Sequence, residues 1–366
     1  MQITKRIDLN LGYSCNIRCR FCYYQKSMQA GKDGPCKDLT TVQAKKWILF
    51  FRKKGMEAID LTGGEPTIRQ DIVQLIRYAG DVGYKTVCII TNGVRLADEK
   101  YAAQLAAAGL NDVLFSLHGP DIAIHENLTQ APRSFDMIIA AIRNMTKLGI
   151  RCRSNTVVNG ISYKHVLRTA DLLYELGVKS ANFILFNPIV EAQGSDRDMN
   201  VSYAQAAPYL KEVIDRYKDK MERITIRYMP FCLMRGYEGY VTNTAQIQYD
   251  SDEWDYYWRT YFRNGPLLWF AALSLGFLLH PSKSRLFKLG FDTAKHEAIK
   301  CALAFKNKVK GPACRKCAYN KICDGLWRSY AKNAGFAELV SVSDPVLSDP
   351  AHFMHDIINA KTGASS

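Results

Sequence analysis

The sequence predicts an α/β fold, a partial (β/α)6 TIM-like barrel followed by a smaller C-terminal domain. Between residue 5 and about residue 190, short apolar runs alternate with stretches of helical periodicity for six rounds. Strands and helices in regular alternation indicate a parallel sheet with right-handed crossovers. Six units, rather than the eight of a closed barrel, indicate an incomplete one.

The predicted elements follow one another in a regular order. Five strand and helix pairs are followed by a last strand: RIDLNLG with TVQAKKWILFFRKKG, AIDLTGG with DIVQLIRYAGDVG, TVCIITNG with KYAAQLAAAG, DVLFSLHG with SFDMIIAAIRNMTKLG, CRSNTVV with VLRTADLLYELG, and SANFILFNPI. The motifs SCNIRCRFC, TGGEPT, TNG and SLHG each fall at the end of an apolar run. Because the carboxyl ends of parallel strands meet at one edge, we expect the functional site there.

The sequence changes character near residue 195. A helix is predicted at about 203–221, followed by the short strand ITIRYM, an aromatic-rich segment and a lysine-rich region. We therefore predict a barrel domain over 1–195 and an auxiliary domain over 196–340, with a basic and apolar helical insertion at 250–312. Residues 341–366 form a C-terminal tail in this division.

The cysteines and the charge restrict the cellular setting. Eleven cysteines occur among 366 residues without a secretory signal, which predicts a reducing compartment and a cytoplasmic protein. The formal net charge is +14, and residues 281–332 carry thirteen Lys or Arg against three acidic residues. Such a basic region suits anionic lipid, nucleic acid or a phosphorylated substrate, and equally a solvated surface.

Three cysteines near the amino terminus have the spacing of metal ligands. Cys15, Cys19 and Cys22 form a C-x3-C-x2-C array in the loop after the first predicted strand. A loop of this kind can bring three thiolates to one cuboidal iron–sulfur cluster and leave the fourth iron without a protein ligand. Structural zinc requires a fourth Cys or His close by, and the nearest thiol, Cys36, belongs to a separate Gly-Pro turn.

Two further features accompany this array. Phe21 directly precedes the last cysteine, and GGEP, at 63–66, ends the second predicted strand. With these motifs, the chain over about 5–190 resembles the radical S-adenosylmethionine (SAM) enzymes. The resemblance implies a [4Fe–4S] cluster on Cys15, Cys19 and Cys22, whose open iron binds the methionine part of SAM.

The resemblance also implies which residues contact SAM. They are Phe21, whose backbone region would hold the adenine, the loop residues Gly63, Gly64, Glu65 and Pro66, and Ser116 and Asn155, near the ribose and the methionine carboxylate. Elementary chemistry agrees, since glycines allow close backbone approach to a ligand. A carboxylate is also a suitable partner for the ammonium group of SAM.

A second group of cysteines lies toward the C-terminus. Cys314, Cys317 and Cys323 form a C-x2-C-x5-C array, and Cys232 precedes them. Four thiols also suit zinc, but the arrangement more closely resembles the SPASM and twitch extensions of radical SAM enzymes. The resemblance implies one auxiliary [4Fe–4S] cluster, giving two clusters in all, with Cys301 as an alternative to Cys232. Cys36, Cys88 and Cys152 are predicted to be core or loop residues.

The function that these observations predict is radical chemistry on a small molecule. The enzyme would cleave SAM to a 5′-deoxyadenosyl radical, using an external low-potential electron donor, and oxidise, epimerise or form a bond in a sugar, cyclitol or lipid-linked precursor. Maturation of a ribosomally made peptide is the alternative, disfavoured because the barrel starts almost at Met1, which leaves no leader-peptide module. A non-enzymatic iron–sulfur or zinc protein is the second alternative, and no nucleic acid is expected.

Two apolar or aromatic segments have structural interpretations. Residues 266–279, PLLWFAALSLGFLL, would form about 21 Å of helix, short of the roughly 30 Å hydrocarbon core, so we predict a buried helix. Peripheral membrane contact through 266–310 is the alternative. The segment WDYYWRTYF, at 254–262, is predicted to pack in the core, and His118 and His125 are predicted to be satisfied loop histidines near the site.

Overall fold

A computed structural model describes residues 2–24, 38–187 and 197–354. Its main sheet has eight parallel strands paired in chain order. They are β1 (Arg6–Asn10), β2 (Ala58–Thr62), β3 (Thr86–Thr91), β4 (Asp112–Phe115), β5 (Arg151–Val158), β6 (Ser180–Leu185), β7 (Arg223–Arg227) and β8 (Val241–Thr242). Two short antiparallel strands, β9 (Lys308–Val309) and β10 (Leu326–Trp327), form a separate ribbon. The predicted α/β partial barrel is therefore confirmed.

Helices connect the strands and follow the sheet. They are α1 (Thr41–Lys53), α2 (Ile72–Asp81), α3 (Glu99–Ala107), α4 (Ile122–Thr129), α5 (Ser134–Lys147), α6 (Val166–Glu175), α7 (Tyr203–Tyr217), α8 (Tyr256–Leu279), α9 (Lys283–Lys288), α10 (Phe291–Asn307) and α11 (Arg328–Ala334). Local sequence sets several helix starts: Thr40 and Gln43 form a capping box at α1, and Asp98 and Asp121 cap α3 and α4.

One buried ion network joins β1, β2, β4 and β5 near the amino ends of these strands. Arg6 contacts Asp60 at 2.8 Å and also Asp112, while Arg153 contacts Asp112 at 2.8 Å. Burial acts to raise the pKa of Asp60, but the guanidinium groups of Arg6 and Arg153 outweigh it and hold that pKa below its ordinary value. The network lies toward the other end of the strands from the loops that carry the cysteines and GGEP, and the indole N–H of Trp254, a residue that lines the main cavity, donates to Asp60 at 2.6 Å.

The sheet extends beyond the predicted domain boundary near residue 195. Strand β7 contains most of ITIRYM, which the sequence assigned to the auxiliary domain, and it pairs in parallel with β6, with Ser180 opposite Arg223. Strand β8 continues the same sheet, with Ile226 opposite Val241. The described sheet thus has eight strands rather than six, and the cysteine-rich region follows directly from its last two.

The prediction that 266–279 forms a buried helix is wrong. Helix α8 is broken at Gly265, whose φ of 74° lies in the left-handed region, and Pro266 begins its second half. Leu267 is 80% exposed and Leu278 is 72% exposed. Among the described residues, α8 is the one helix that is long and apolar enough to cross a membrane by length and composition, with a mean hydropathy of 1.3. The break leaves fourteen residues after Gly265.

Candidate iron–sulfur and cofactor site

A cavity of about 690 Å³ opens at the carboxyl ends of the strands. The residues that the sequence assigned to the cluster and to SAM share its wall, with the exception of Pro66: Cys15, Cys19, Phe21, Cys22, Gly63, Gly64, Glu65, Ser116 and Asn155. Pro66 is buried at the start of the 3₁₀ turn Pro66–Ile68. The fold therefore brings together motifs from four strand ends, as expected for a parallel sheet.

The three thiols lie in a loop that is fastened to α4. The backbone N–H groups of Arg18 and Arg20 donate to the carbonyls of Thr129 and Leu128, at 3.2 and 2.9 Å. Burial raises the pKa of the Cys15, Cys19 and Cys22 thiols, that of Cys15 to about 11. Burial therefore favours the neutral thiols, and a bound metal would stabilise the thiolates.

The residues present fit an iron–sulfur cluster better than a single metal ion. In residues 2–24, 38–187 and 197–354, no three His, Cys, Asp or Glu side chains converge in the manner of a site for one ion. A cuboidal cluster has a different requirement, because each thiolate binds a different iron at a separate corner. The thiols of Cys15, Cys19 and Cys22 face one cavity from a short loop, which suits that arrangement.

The glycines of GGEP allow two chain segments to touch. The N–H of Gly64 donates to the carbonyl of Gly12 at 2.9 Å, and the N–H of Glu65 donates to the carbonyl of Ser14 at 2.8 Å. A Cβ on Gly63 would lie 2.3 Å from the Gly12 oxygen, and one on Gly64 would lie 2.1 Å from the Ser14 oxygen. The close approach that glycine permits is therefore made to the cysteine loop, which the sequence did not predict.

We expect Gly64→Ala to displace the cysteine loop. The added methyl group overlaps the Ser14 carbonyl, which has no room to move without breaking the hydrogen bond from Glu65. Iron retention after anaerobic reconstitution should fall by at least about half, and SAM binding should weaken more than tenfold, or about 1.4 kcal/mol.

Gly80→Ala is the matched control for this prediction. Gly80 lies within α2, and a Cβ there would meet nothing within 4 Å. Alanine favours a helix by about 0.5–1 kcal/mol over glycine, so this variant should keep its iron and be slightly more stable to heat. Equal iron content in the two variants would contradict the proposed role of the contact.

Glu65 joins the ends of β2 and β3 through its carboxylate. Oε1 accepts from the Thr67 N–H, the Thr67 hydroxyl and the Thr91 hydroxyl, at 3.0, 2.6 and 2.7 Å. Oε2 accepts from the N–H of Asn92 at 2.7 Å. Burial raises the pKa of Glu65 in spite of these donors. The carboxylate thus positions the loops that carry the site, a task separate from the predicted contact with the SAM ammonium.

Asn92 is a site residue that the sequence analysis did not single out. Its side-chain amide lies 3.9 Å from the Cys15 sulfur and donates to the Asn16 side chain at 2.8 Å. It also lines the cavity. The signal was present in the TNG motif at the end of β3, because polar residues at strand ends are candidates for contact with a ligand.

Aromatic and histidine rings form the part of the wall near β4. The Phe21 ring packs edge-on against His118, with centroids 4.5 Å apart. His118 accepts from the Val157 N–H at 3.2 Å, and His125 accepts from the His118 N–H at 3.2 Å. Burial lowers the pKa of both imidazoles, that of His125 to about 4. His125 is thus a satisfied histidine, but it lies within helix α4 rather than in a loop as predicted, while the neutral His118 faces the cavity.

The aromatic segment before and within α8 also reaches the cavity. Trp254 and Tyr256 line it, and the Arg259 guanidinium lies 4.8 and 4.7 Å from their ring centroids. Arg259 in turn contacts Asp8 at 2.7 Å. Residues 254–262 were predicted to pack in the core, and Tyr257 is buried in agreement with that prediction. Trp254, Tyr256 and Arg259 instead form an aromatic and cationic wall of the cavity.

Arg227 and Tyr228, at the end of β7, complete this wall. Arg227 contacts Glu253 at 2.9 Å, and burial raises the pKa of Glu253 to about 7 against the effect of that guanidinium. Tyr228 has a φ of 67°, an uncommon backbone conformation for a bulky residue. Its ring packs 4.9 Å from that of Trp327 in β10. Strain of this kind is concentrated at functional sites, and no sequence pattern around Tyr228 predicted it.

The second set of thiols lies where β7 leads into the cysteine-rich region. Cys232 is in a 3₁₀ turn, Phe231–Met234, and Cys314 ends another, Pro312–Cys314. Burial raises the pKa of Cys232, and the nearby thiols of Cys317 and Cys314 raise it further. Burial likewise raises the pKa of Cys323 to about 12, while the Gly325 and Phe231 N–H groups donate to its sulfur.

Cys301 has different surroundings. It lies in α10, where burial raises the pKa of its thiol, and Lys310, Lys283 and Asp324 act on that pKa electrostatically. Cys301 and Cys323 both line a second cavity of about 360 Å³. Cys88 and Cys152 are buried, as predicted, whereas Cys36 lies outside the described residues.

The partial parallel barrel carries three cysteines and a Gly-Gly-Glu loop at the carboxyl edge of its sheet. Residues 9–173 match the family model of the radical SAM superfamily. The matched range contains the three cysteines and the GGEP loop that line the main cavity.

Two curated relatives and two solved structures extend the comparison. The chain is 30% identical over 184 residues to a probable GTP 3′,8-cyclase of Saccharolobus solfataricus, covering 50% of this chain and 57% of the relative. It is 28% identical over 207 residues to the AdoMet-dependent heme synthase of Methanosarcina barkeri, covering 57% and 58%. The chain therefore spans little more than half the length of either relative.

The solved structures match almost the whole chain. Native anSMEcpe with bound AdoMet and Kp18Cys peptide aligns with a TM-score of 0.58 at 18% identity, covering 98% of this chain and 99% of that one. Streptococcus suis SuiB bound to precursor peptide SuiA aligns with a TM-score of 0.56 at 17% identity, covering 94% and 76%. At these identities the likeness establishes the fold alone.

Proposed function

We propose that this chain is an enzyme that cleaves SAM reductively to methionine and a 5′-deoxyadenosyl radical, which abstracts hydrogen from an unactivated carbon of a substrate. The observation that carries this proposal is that Cys15, Cys19 and Cys22 line the same cavity as the GGEP loop. A [4Fe–4S] cluster with one open iron supplies the electron and the coordination position for such a cleavage when it is bound.

The protein side chains have three tasks in this proposal. Glu65 and the backbone of Gly64 hold the cysteine loop in register with the ends of β2 and β3. Asn92 places a neutral donor beside Cys15. The apolar and aromatic wall, including Phe21, excludes water from the reacting groups, which protects a radical from side reactions.

We propose a small-molecule substrate, such as a sugar, a cyclitol or a lipid-linked precursor. The cavity volume of about 690 Å³ falls within the range of ligand sites, about 300–1,000 Å³, and it has to hold SAM as well. The names of the two curated relatives, a GTP cyclase and a heme synthase, also refer to small molecules. Both structural neighbours that were solved with peptides match at identities that support the fold only.

We further propose one auxiliary [4Fe–4S] cluster on Cys232, Cys314, Cys317 and Cys323, in a twitch-like region. The thiols of Cys314 and Cys317 raise the pKa of Cys232, whereas no cysteine that the structure describes has such an effect on Cys301. This difference supports Cys232 over Cys301 as the fourth ligand. A fully ligated cluster supplies an electron acceptor rather than a substrate ligand. The outcome that suits it is oxidation, epimerisation or bond formation in the substrate.

Anaerobic incubation of the reconstituted protein with SAM and a low-potential reductant tests the proposal. We expect 5′-deoxyadenosine and methionine to form in equal amounts, and formation to accelerate when the correct substrate is added. Deuterium from a labelled small molecule should appear in 5′-deoxyadenosine. The absence of any cleavage would refute the radical assignment, and deuterium transfer from a peptide alone would favour peptide maturation.

A further inference from the structure

The second half of α8 and the segment after it expose an apolar surface that no described part of the chain covers. We define this apolar face by the exposed large side chains of 267–291: Leu267, Leu268, Phe270, Leu275, Leu278, Phe287 and Phe291. Phe287 is 89% exposed and Phe291 is 75% exposed. Single exposed apolar residues are common, but seven within 25 residues mark an interaction surface.

Packing on its other side fixes the orientation of this helix. Leu273 is buried with Ala298 and Ile299 of α10. Gly276 lies so close to α10 that a Cβ there would come within 1.9 Å of the Ala298 carbonyl oxygen. The helix cannot turn its exposed side inward without losing this contact, so the apolar face is a stable feature of the fold.

The charges around the apolar face are mostly positive. Residues 263–310 contain nine Lys or Arg, of which Lys300 and Lys308 are buried, and only two acidic residues, Asp292 and Glu297. Glu297 is buried against Arg285 and His280, and Asp292 pairs with Lys295. Both acidic residues of this segment are therefore already paired, and neither neutralises an exposed lysine such as Lys288. A surface of apolar side chains with basic neighbours is complementary to anionic lipid headgroups above acyl chains.

The apolar face begins at the cavity. Arg263 and Asn264, the last residues before the break at Gly265, line the cavity wall, as does Lys306 near the end of α10. Pro266 and Leu267, on the other side of the break, are exposed to solvent. A surface that adheres to a membrane at this point would place the entrance of the cavity close to the headgroups.

We infer that the apolar face rests in the interfacial region of an anionic membrane, where the enzyme takes up an amphiphilic, lipid-linked substrate. This inference rests on the proposed radical function for its substrate, but not for the membrane contact itself. The helix lies in the membrane surface rather than crossing it, because the fourteen residues after the break give about 21 Å of helix against a hydrocarbon core of roughly 30 Å.

Vesicle flotation with the full-length reconstituted protein tests the inference. The probes are vesicles of phosphatidylcholine alone and vesicles with about one third phosphatidylglycerol. We expect flotation with the anionic vesicles, weakened by high salt. The double variant Leu267→Glu/Phe270→Glu should lower partitioning more than tenfold, because it places two charges in the apolar face. Lys288→Glu should lower it roughly 30-fold at low salt, since it reverses a charge near the surface.

Matched controls separate this face from general effects of charge. Val42, on α1, is 77% exposed, and Lys100, on α3, is exposed as well. Val42→Glu and Lys100→Glu make the same chemical changes elsewhere and should float like the unmodified protein. SAM cleavage without vesicles should persist in all five proteins, so its loss would count against the radical function and not against membrane contact.

Two results would overturn the inference. One is the failure of the unmodified protein to float with anionic vesicles while it still cleaves SAM. The other is a dimer, seen by analytical ultracentrifugation, that Leu267→Glu/Phe270→Glu dissociates although flotation does not change. That result would make the apolar face a contact between two copies of the chain.

Discussion

Replacing Cys15, Cys19 and Cys22 by alanine is expected to abolish the formation of 5′-deoxyadenosine. The three thiols face the main cavity and lie in one loop that backbone hydrogen bonds hold against α4. Alanine removes the sulfur atoms without adding volume, so the loop should keep its place. Iron content should fall from about eight to about four per chain, the amount held by one four-iron cluster.

Cys152→Ala is the control for this triple variant. Cys152 is a buried thiol in β5, in the main hydrophobic core and outside the cavity wall. Its loss should lower stability slightly, while iron content and SAM cleavage stay as in the unmodified protein. An unchanged rate of 5′-deoxyadenosine formation in the triple variant would refute the assignment of the catalytic cluster to this loop.

The sequence predicted the barrel because the barrel depends on local patterns. Each strand has a short apolar run, and residues such as Ile7, Ile59 and Val87 are buried where the alternation requires it. The helix predicted at about 203–221 and the strand ITIRYM continue this alternation into β7, although they were assigned to the next domain. The place of β8 in the sheet was not predictable in this way, because β8 has only two residues and no α-helix separates it from β7.

The exposure of 266–279 shows the limit of composition. An apolar composition predicts that exposure of the segment to water costs free energy, but it does not predict which surface will cover the segment. Only the packing of Leu273 and Gly276 against α10 decides which side of the helix remains exposed. The same composition would suit a core helix, which is what the sequence suggested.

The candidate site was predictable where chemistry depends on spacing. The cysteines and GGEP are defined by short intervals in the chain, and the fold brings them together. Asn92 lies at the end of β3, while Arg227 and Tyr228 lie at the end of β7, so the cavity that they share depends on the register of the sheet. The role of Gly64 was also hidden, since its neighbour Ser14 is fifty residues away in the sequence.

Replacing Cys323 by alanine is expected to separate SAM cleavage from product formation. Cys323 belongs to the second group of thiols, away from the wall formed by Cys15 and its neighbours. Its side chain is half-buried, and its sulfur accepts from the Gly325 N–H at 3.5 Å. Loss of this ligand should remove about four irons per chain. The first cluster should then still form 5′-deoxyadenosine, at a rate within about threefold of the unmodified protein, but with little or no substrate product.

Cys301→Ala and Cys232→Ala determine the fourth ligand in the same assay. Cys232 lies among the other thiols, whereas the charged neighbours of Cys301 are Lys310, Lys283 and Asp324. We therefore expect Cys232→Ala to lose iron like Cys323→Ala and Cys301→Ala to keep it. The reverse pattern would make Cys301 the ligand. One zinc together with about four irons in the unmodified protein would instead identify the second group as a structural zinc site, because four cysteine thiolates suit that metal equally well.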